Sequence, residues 1–80
     1  MLIHVKYFSI IRETIGKPEE DWEIPEHFTT IDLWQQIEKK YALEKHRNYL
    51  RFAVNLDYVT KDHQLKTNDE VALITPVAGG

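Results

Sequence analysis

The chain has 80 residues, 42% of them apolar and 29% charged, with a formal net charge of −3 and no cysteine. A chain of this length makes one small domain with a modest core, and no apolar run approaches the roughly 20 residues that cross a bilayer as a helix, so a membrane role is not expected. The lack of cysteine rules out disulfides, thiolate metal sites and a side-chain persulfide, and the interspersed charges lack the clustered lysine and arginine that nucleic acid demands.

Residues 1–8 carry none of the basic, apolar and small-residue pattern of a secretory signal, so a cytoplasmic protein is expected. Ile3, Val5 and Tyr7 alternate with His4, Lys6 and Phe8, which predicts a strand with the first set in the core and Phe8 on the other side. Ser9 is the expected cap of a short helix over 10–15, stopped by Gly16 and Pro18. Residues 21–24, ended by Pro25, read as a second strand in a hairpin with the first, turning Trp22 and Ile24 inward.

Thr29 or Thr30 can cap the main helix, with Asp32 at its electropositive end. Ile31, Leu33, Trp34, Ile37 and Tyr41 then recur at helical spacing. The stretch 43–50 is polar and basic and fits either a helical turn or a loop. Residues 51–55 predict a strand, Asn55-Leu56-Asp57 a turn, Tyr58 and Val59 a short edge strand, and 71–75 a last strand entered through a turn at 67–70. This order predicts an α+β fold: a mixed sheet packed on one main helix, the β-grasp architecture of ubiquitin. The expected division is a β-grasp domain over 1–75 and a flexible Gly-Gly tail over 76–80.

That tail, Pro76-Val77-Ala78-Gly79-Gly80, is the best candidate for chemistry. A terminal glycine pair arises by chance in roughly one chain in 200, but Pro76 fixes its own φ and pushes Thr75 toward extended geometry, so the last strand should run straight out. Glycine has no Cβ, which lets another protein close around the terminal carbonyl. A free carboxylate is a poor electrophile. An activating enzyme would first adenylate Gly80 with ATP, and a sulfur nucleophile would then displace AMP to leave a thiocarboxylate. A frayed terminus of small residues would give the same sequence.

His4, His27, His46 and His63 show no metal-ligand spacing, and no Ser/His/Asp or paired-carboxylate arrangement stands out, so neither a metal nor a side-chain catalyst is expected. If Val71 and Leu73 point inward, Ile74 faces the other side of the sheet with Phe8 and Tyr58, and three large apolar groups there would mark a partner surface. A register slip of one residue would reverse these faces.

The segments VKYFSIIRETIG (5–16), TIDLWQQI (30–37), AVN (53–55) and DEVALITPVAGG (69–80) resemble the sulfur-carrying small subunit of molybdopterin synthase, the MoaD-type branch of the ubiquitin-like sulfur carriers. The resemblance implies that Gly80 is adenylated by a ubiquitin-activating-like adenylyltransferase using ATP and magnesium, receives sulfur from a donor protein, and enters the large subunit with the tail 76–79. There it gives sulfur to cyclic pyranopterin monophosphate to form the dithiolene of molybdopterin, in an assembly of two small and two large subunits. It also implies that Phe8, Arg12, Tyr58 and Ile74 contact partners and that the chain alone binds no cofactor. The alternatives are the thiamine-pathway sulfur carrier, which lacks the RETIG-like segment, a ubiquitin-like modifier of lysines, and a ubiquitin-like module that only binds a partner. The sulfur donor, the activating enzyme's identity and the choice of molybdenum or tungsten are not legible in the residues.

Overall fold

The structure, a computed structural model, describes residues 1–75. Strand β1 (Leu2–Tyr7) runs into the short helix α1 (Ser9–Ile15), then β2 (Glu19–Glu23), the main helix α2 (Thr30–Tyr41), a 3₁₀ helix (Glu44–Tyr49), and strands β3 (Arg51–Val54), β4 (Asp57–Val59) and β5 (Glu70–Ile74). The sheet order is β2-β1-β5-β3-β4. β1 pairs antiparallel with β2 and parallel with β5, and β3 pairs antiparallel with both β5 and β4. The chain's last strand is therefore the middle of the sheet, which is the mixed β-grasp arrangement expected.

The alternation in β1 holds: Ile3, Val5 and Tyr7 are buried, and in the parallel register Val5 stands beside Val71 and Tyr7 beside Leu73. Phe52 and Val54 complete the inner face from β3. Against it lie Leu33, Trp34 and Ile37 of α2, each with no exposed surface. Burial of side chains this large contributes about 1.5–3 kcal/mol apiece, so the α2 stripe is the main tie between helix and sheet.

α2 begins where a capping box closes. Thr29 Oγ1 accepts from the Asp32 N–H at 3.3 Å, while the Thr29 N–H donates to Asp32 Oδ2 at 2.9 Å. Two otherwise orphaned amide donors are thus satisfied. The 43–50 stretch, left open by the sequence, is a 3₁₀ turn held to α2 by Arg47, whose Nε donates to the buried Glu38 carboxylate at 3.2 Å. Nη2 of Arg47 makes a second contact to the other Glu38 oxygen, so the buried charge has a bidentate partner.

Several boundaries differ from expectation. Ser9 does not cap α1: Phe8 already has the extended geometry of the cap position, no side chain caps it, and Ser9 is the first helical residue. The stop at Gly16 is as expected, with φ of 87°, a left-handed angle that glycine adopts without steric penalty. β2 spans Glu19–Glu23, starting two residues before the predicted 21–24, because Glu20 turns inward onto hydroxyl donors. Ile24, just past the strand, is still buried, and Trp22 packs half-buried against the core. β3 ends at Val54, one residue short of the predicted 51–55, so the β3–β4 turn is Asn55-Leu56 alone with Asp57 already in β4, and β5 is Glu70–Ile74 where 71–75 was predicted.

Candidate functional site

The outer face of the sheet follows from the same registers. In β3, β4 and β5, residues directly opposite one another share a face, so Ala53, Tyr58 and Ala72 stand together, as do Arg51 and Ile74 one step along. Ala53 and Ala72 have only methyl groups and leave a depression. Phe8, Leu56, Tyr58, Glu70 and Ile74 join them in lining a groove of about 210 Å³. Phe8 is 41% exposed and Tyr58 74%, large fractions for aromatic rings.

Tyr58 and Ile74 also line a second groove of about 460 Å³ with Arg51, Phe52 and Val59, so the two side chains stand between the grooves. Phe8, Tyr58 and Ile74, gathered from three parts of the sequence, thus share one surface. Arg12 does not line it. It lies on α1 in a separate groove of about 520 Å³ with Ser9, Glu13, Gly16, Lys17 and Pro18.

β5 is hydrogen-bonded on both sides and carries the chain to this surface: Ile74 is its last residue and Thr75 is buried just beyond. The tail residues Pro76, Val77, Ala78, Gly79 and Gly80 lie outside the described residues. Five residues span at most roughly 17 Å, so anything that takes hold of Gly80 sits close to Ile74 and the groove.

Sequence reasoning missed a second constellation, on the core side of β2. Glu20 Oε2 accepts from the Tyr7 hydroxyl at 2.5 Å and from the Tyr41 hydroxyl at 2.6 Å, and Trp22 Nε1 donates to the Tyr7 oxygen at 3.0 Å. Lys17 and Lys40 lie 3.2 and 3.9 Å from Glu20 Oε1, and Lys40 is 5.0 Å from the Trp22 ring centre. Burial pushes the Glu20 carboxyl up, but the Tyr41, Tyr7 and Lys17 hydrogen bonds and the Lys40 charge outweigh it and hold the group at about 2. Burial, and then the hydrogen bond to Glu20, push the Tyr7 phenol well above its ordinary range. The network ties β1, β2 and α2 together. The only available signal was tyrosines on two inward stripes facing a run of acids.

The histidines do not converge. His4 Nδ1 is 2.7 Å from Asp21 and its Nε2 3.1 Å from Glu19, and His27 meets Gln64 at 3.0 Å. Among the described residues, no group of three His, Cys, Asp or Glu side chains is placed to hold a metal ion.

Comparison with known proteins agrees with this geometry. The ThiS family model matches residues 5–80. The molybdopterin synthase sulfur carrier subunit of Homo sapiens is 34% identical, over 98% of this chain and 93% of its own length. That of Chlamydomonas reinhardtii is 39% identical over the whole of both chains. A solved chain from Pyrococcus furiosus, described as a candidate molybdopterin converting factor subunit 1, superposes with a TM-score of 0.84 at 32% identity, covering 96% of this chain and 99% of that one. The fold recurs at 21% identity and a TM-score of 0.71, over the whole of both chains, in a Helicobacter pylori complex of subunits 1 and 2 of the molybdopterin-converting factor. The chain belongs to the ThiS family, and its relatives there include molybdopterin synthase sulfur carrier subunits.

Proposed function

We propose that this chain is the sulfur carrier subunit of molybdopterin synthase, part of a sulfurtransferase complex, with the carboxyl of Gly80 as its working group. The observation that carries the reading is the full-length likeness to molybdopterin synthase sulfur carrier subunits, extending through the terminal Gly-Gly. The central position of β5 supports it, because a strand anchored on both edges presents the tail from a fixed base beside an apolar groove.

The chemistry runs through the terminus. A Gly80 carboxylate oxygen attacks the α-phosphorus of ATP on an adenylyltransferase, with magnesium, releasing pyrophosphate and leaving an acyl adenylate. A persulfide on the donor protein displaces AMP to give an acyl disulfide, and a thiol then attacks the donor-side sulfur, forming a disulfide with the donor and releasing the thiocarboxylate with its C–S bond intact. In the large subunit the sulfur passes to cyclic pyranopterin monophosphate, and water restores the carboxylate. Two carriers supply the two dithiolene sulfurs, which fits an assembly of two small and two large subunits. The carrier's own side chains supply docking rather than catalysis, through Phe8, Tyr58 and Ile74 on the groove and Arg12 on α1, and the chain alone binds no cofactor. We place it in the cytoplasm, where ATP is available; among the described residues no helix is long and apolar enough to cross a membrane.

The test is a chain lacking Gly80, compared with the full chain in a reconstituted reaction with activating enzyme, sulfur donor, large subunit and pterin precursor. The shortened chain should melt at the same temperature, because it keeps every residue of the sheet and of α2, and form no dithiolene product. Product formation at the full chain's rate would refute the terminal carboxyl as the sulfur site.

A further inference from the structure

The turn between β3 and β4 consists of Asn55 and Leu56, and both have positive φ, 51° and 75°. This is the two-residue hairpin loop whose second position usually takes glycine, since a Cβ there crowds the backbone. Leucine is a poor choice at such a position for folding. It is also 91% exposed, so no core contact offsets the strain.

The turn keeps its shape because Asn55 is tied down. Its N–H donates to the Glu70 carbonyl at 2.8 Å, its amide nitrogen donates to Asp69 Oδ1 at 2.9 Å, and its Oδ1 accepts from the Glu70 N–H at 3.0 Å. Asp69 is fixed in turn by the Lys66 N–H, which donates to its Oδ2 at 2.8 Å. A strained residue that persists because its neighbours over-determine it points to a use outside folding.

We infer that Leu56 is an apolar anchor for the large subunit, extending the docking surface of Phe8, Tyr58 and Ile74 across the β3–β4 turn. The inference rests on the carrier reading above. The occupant follows from two observations. Leu56 lines the same groove as those three residues, over the floor made by Ala53 and Ala72. The five residues after Thr75 reach at most roughly 17 Å, so the protein that receives Gly80 docks within that distance of Ile74, which itself lines the groove. The matching feature is an apolar pocket on the large subunit that excludes water around an inserted leucine.

The experiment uses the full chain and three variants: Leu56→Gly and Leu56→Asn, both tolerant of positive φ, and Tyr58→Ala as the control for the groove. Calorimetry gives each Kd for the purified large subunit, and thermal melting gives each free chain's Tm. Both Leu56 variants should keep or raise Tm, by up to about 5 °C, while Kd rises roughly tenfold. A gain in stability with a loss of affinity separates an anchor from a fold residue. Wild-type affinity in both Leu56 variants, with Tyr58→Ala weakened, overturns the role of Leu56 and leaves the groove standing. Wild-type affinity in all three overturns the groove as well. A fall in Tm that tracks the rise in Kd assigns Leu56 to the fold and overturns the inference, and a wild-type chain that does not bind the large subunit overturns the carrier reading beneath it.

Discussion

Replacing Glu20 with glutamine isolates the charge at the junction of β1, β2 and α2 while keeping side-chain shape. Glu20 Oε2 holds two hydroxyl donors, at 2.5 Å from Tyr7 and 2.6 Å from Tyr41, and the side chain is only 15% exposed. A carboxyl lowered from 4.5 to about 2 corresponds to up to about 3 kcal/mol of folding free energy at neutral pH. Lys17 and Lys40 are half-exposed and solvent screens their share, so the expected cost of Glu20→Gln is roughly 2 kcal/mol. For a domain of this size that lowers Tm by about 10 °C.

The sign of the pH dependence follows from the depressed value. The folded state binds the Glu20 proton more weakly than the unfolded chain does, so the stabilisation is complete above the unfolded value of 4.5 and is lost as pH falls through about 2. Thermal melts of both chains, read by circular dichroism at steps from pH 7 to pH 2.5, should show a gap that is constant above about pH 5 and narrows below it. A gap that does not change with pH, or one under about 0.5 kcal/mol at pH 7, would place Glu20 among ordinary surface residues and refute the network as a tie between elements.

Thr29→Ala removes the cap of α2 and should cost about 1 kcal/mol, a fall of roughly 4–8 °C in Tm, with Asp32→Ala giving a loss that does not add to it because both remove one capping box. His4 is held above its ordinary value, chiefly by the hydrogen bond to Asp21, with burial opposing and the Glu19 and Asp21 charges adding. Its contribution is complete below pH 6.5 and lost as pH rises through the raised folded value. Melts of His4→Gln and the parent chain should therefore differ at pH 5.5 and converge by pH 8.5; an equal difference at both would show that the imidazolium is not paired.

The parts of the fold that repeat locally were legible in the sequence. Ile3, Val5 and Tyr7 announce a half-buried strand, the 31–41 stripe a helix with one apolar face, and Thr29 with Asp32 its start. From those faces, Phe8, Tyr58 and Ile74 could be assigned to one side of the sheet. Features that depend on pairing between distant elements were hidden. Nothing in the run Glu19-Glu20-Asp21 distinguishes the one carboxylate that meets Tyr7 and Tyr41, because the distinction comes from β1 and α2 packing over it. The Asn55-Leu56 turn lacks the glycine that usually betrays such a hairpin, and its left-handed angles are enforced from β5. Arg47 and Glu38 are nine residues apart on different helices, so their pairing left no periodic trace in the 43–50 stretch.

The most direct test of the carrier assignment is the intact mass of the chain from cells that hold its activating enzyme and sulfur donor, measured before and after incubation with the large subunit and the pterin precursor. The account predicts a mass raised by the exchange of one terminal oxygen for sulfur, mapped to Gly80 and lost on incubation as product forms. An unmodified terminus despite a competent activating enzyme, or a sulfur-bearing terminus that the large subunit and precursor leave unchanged, would contradict it.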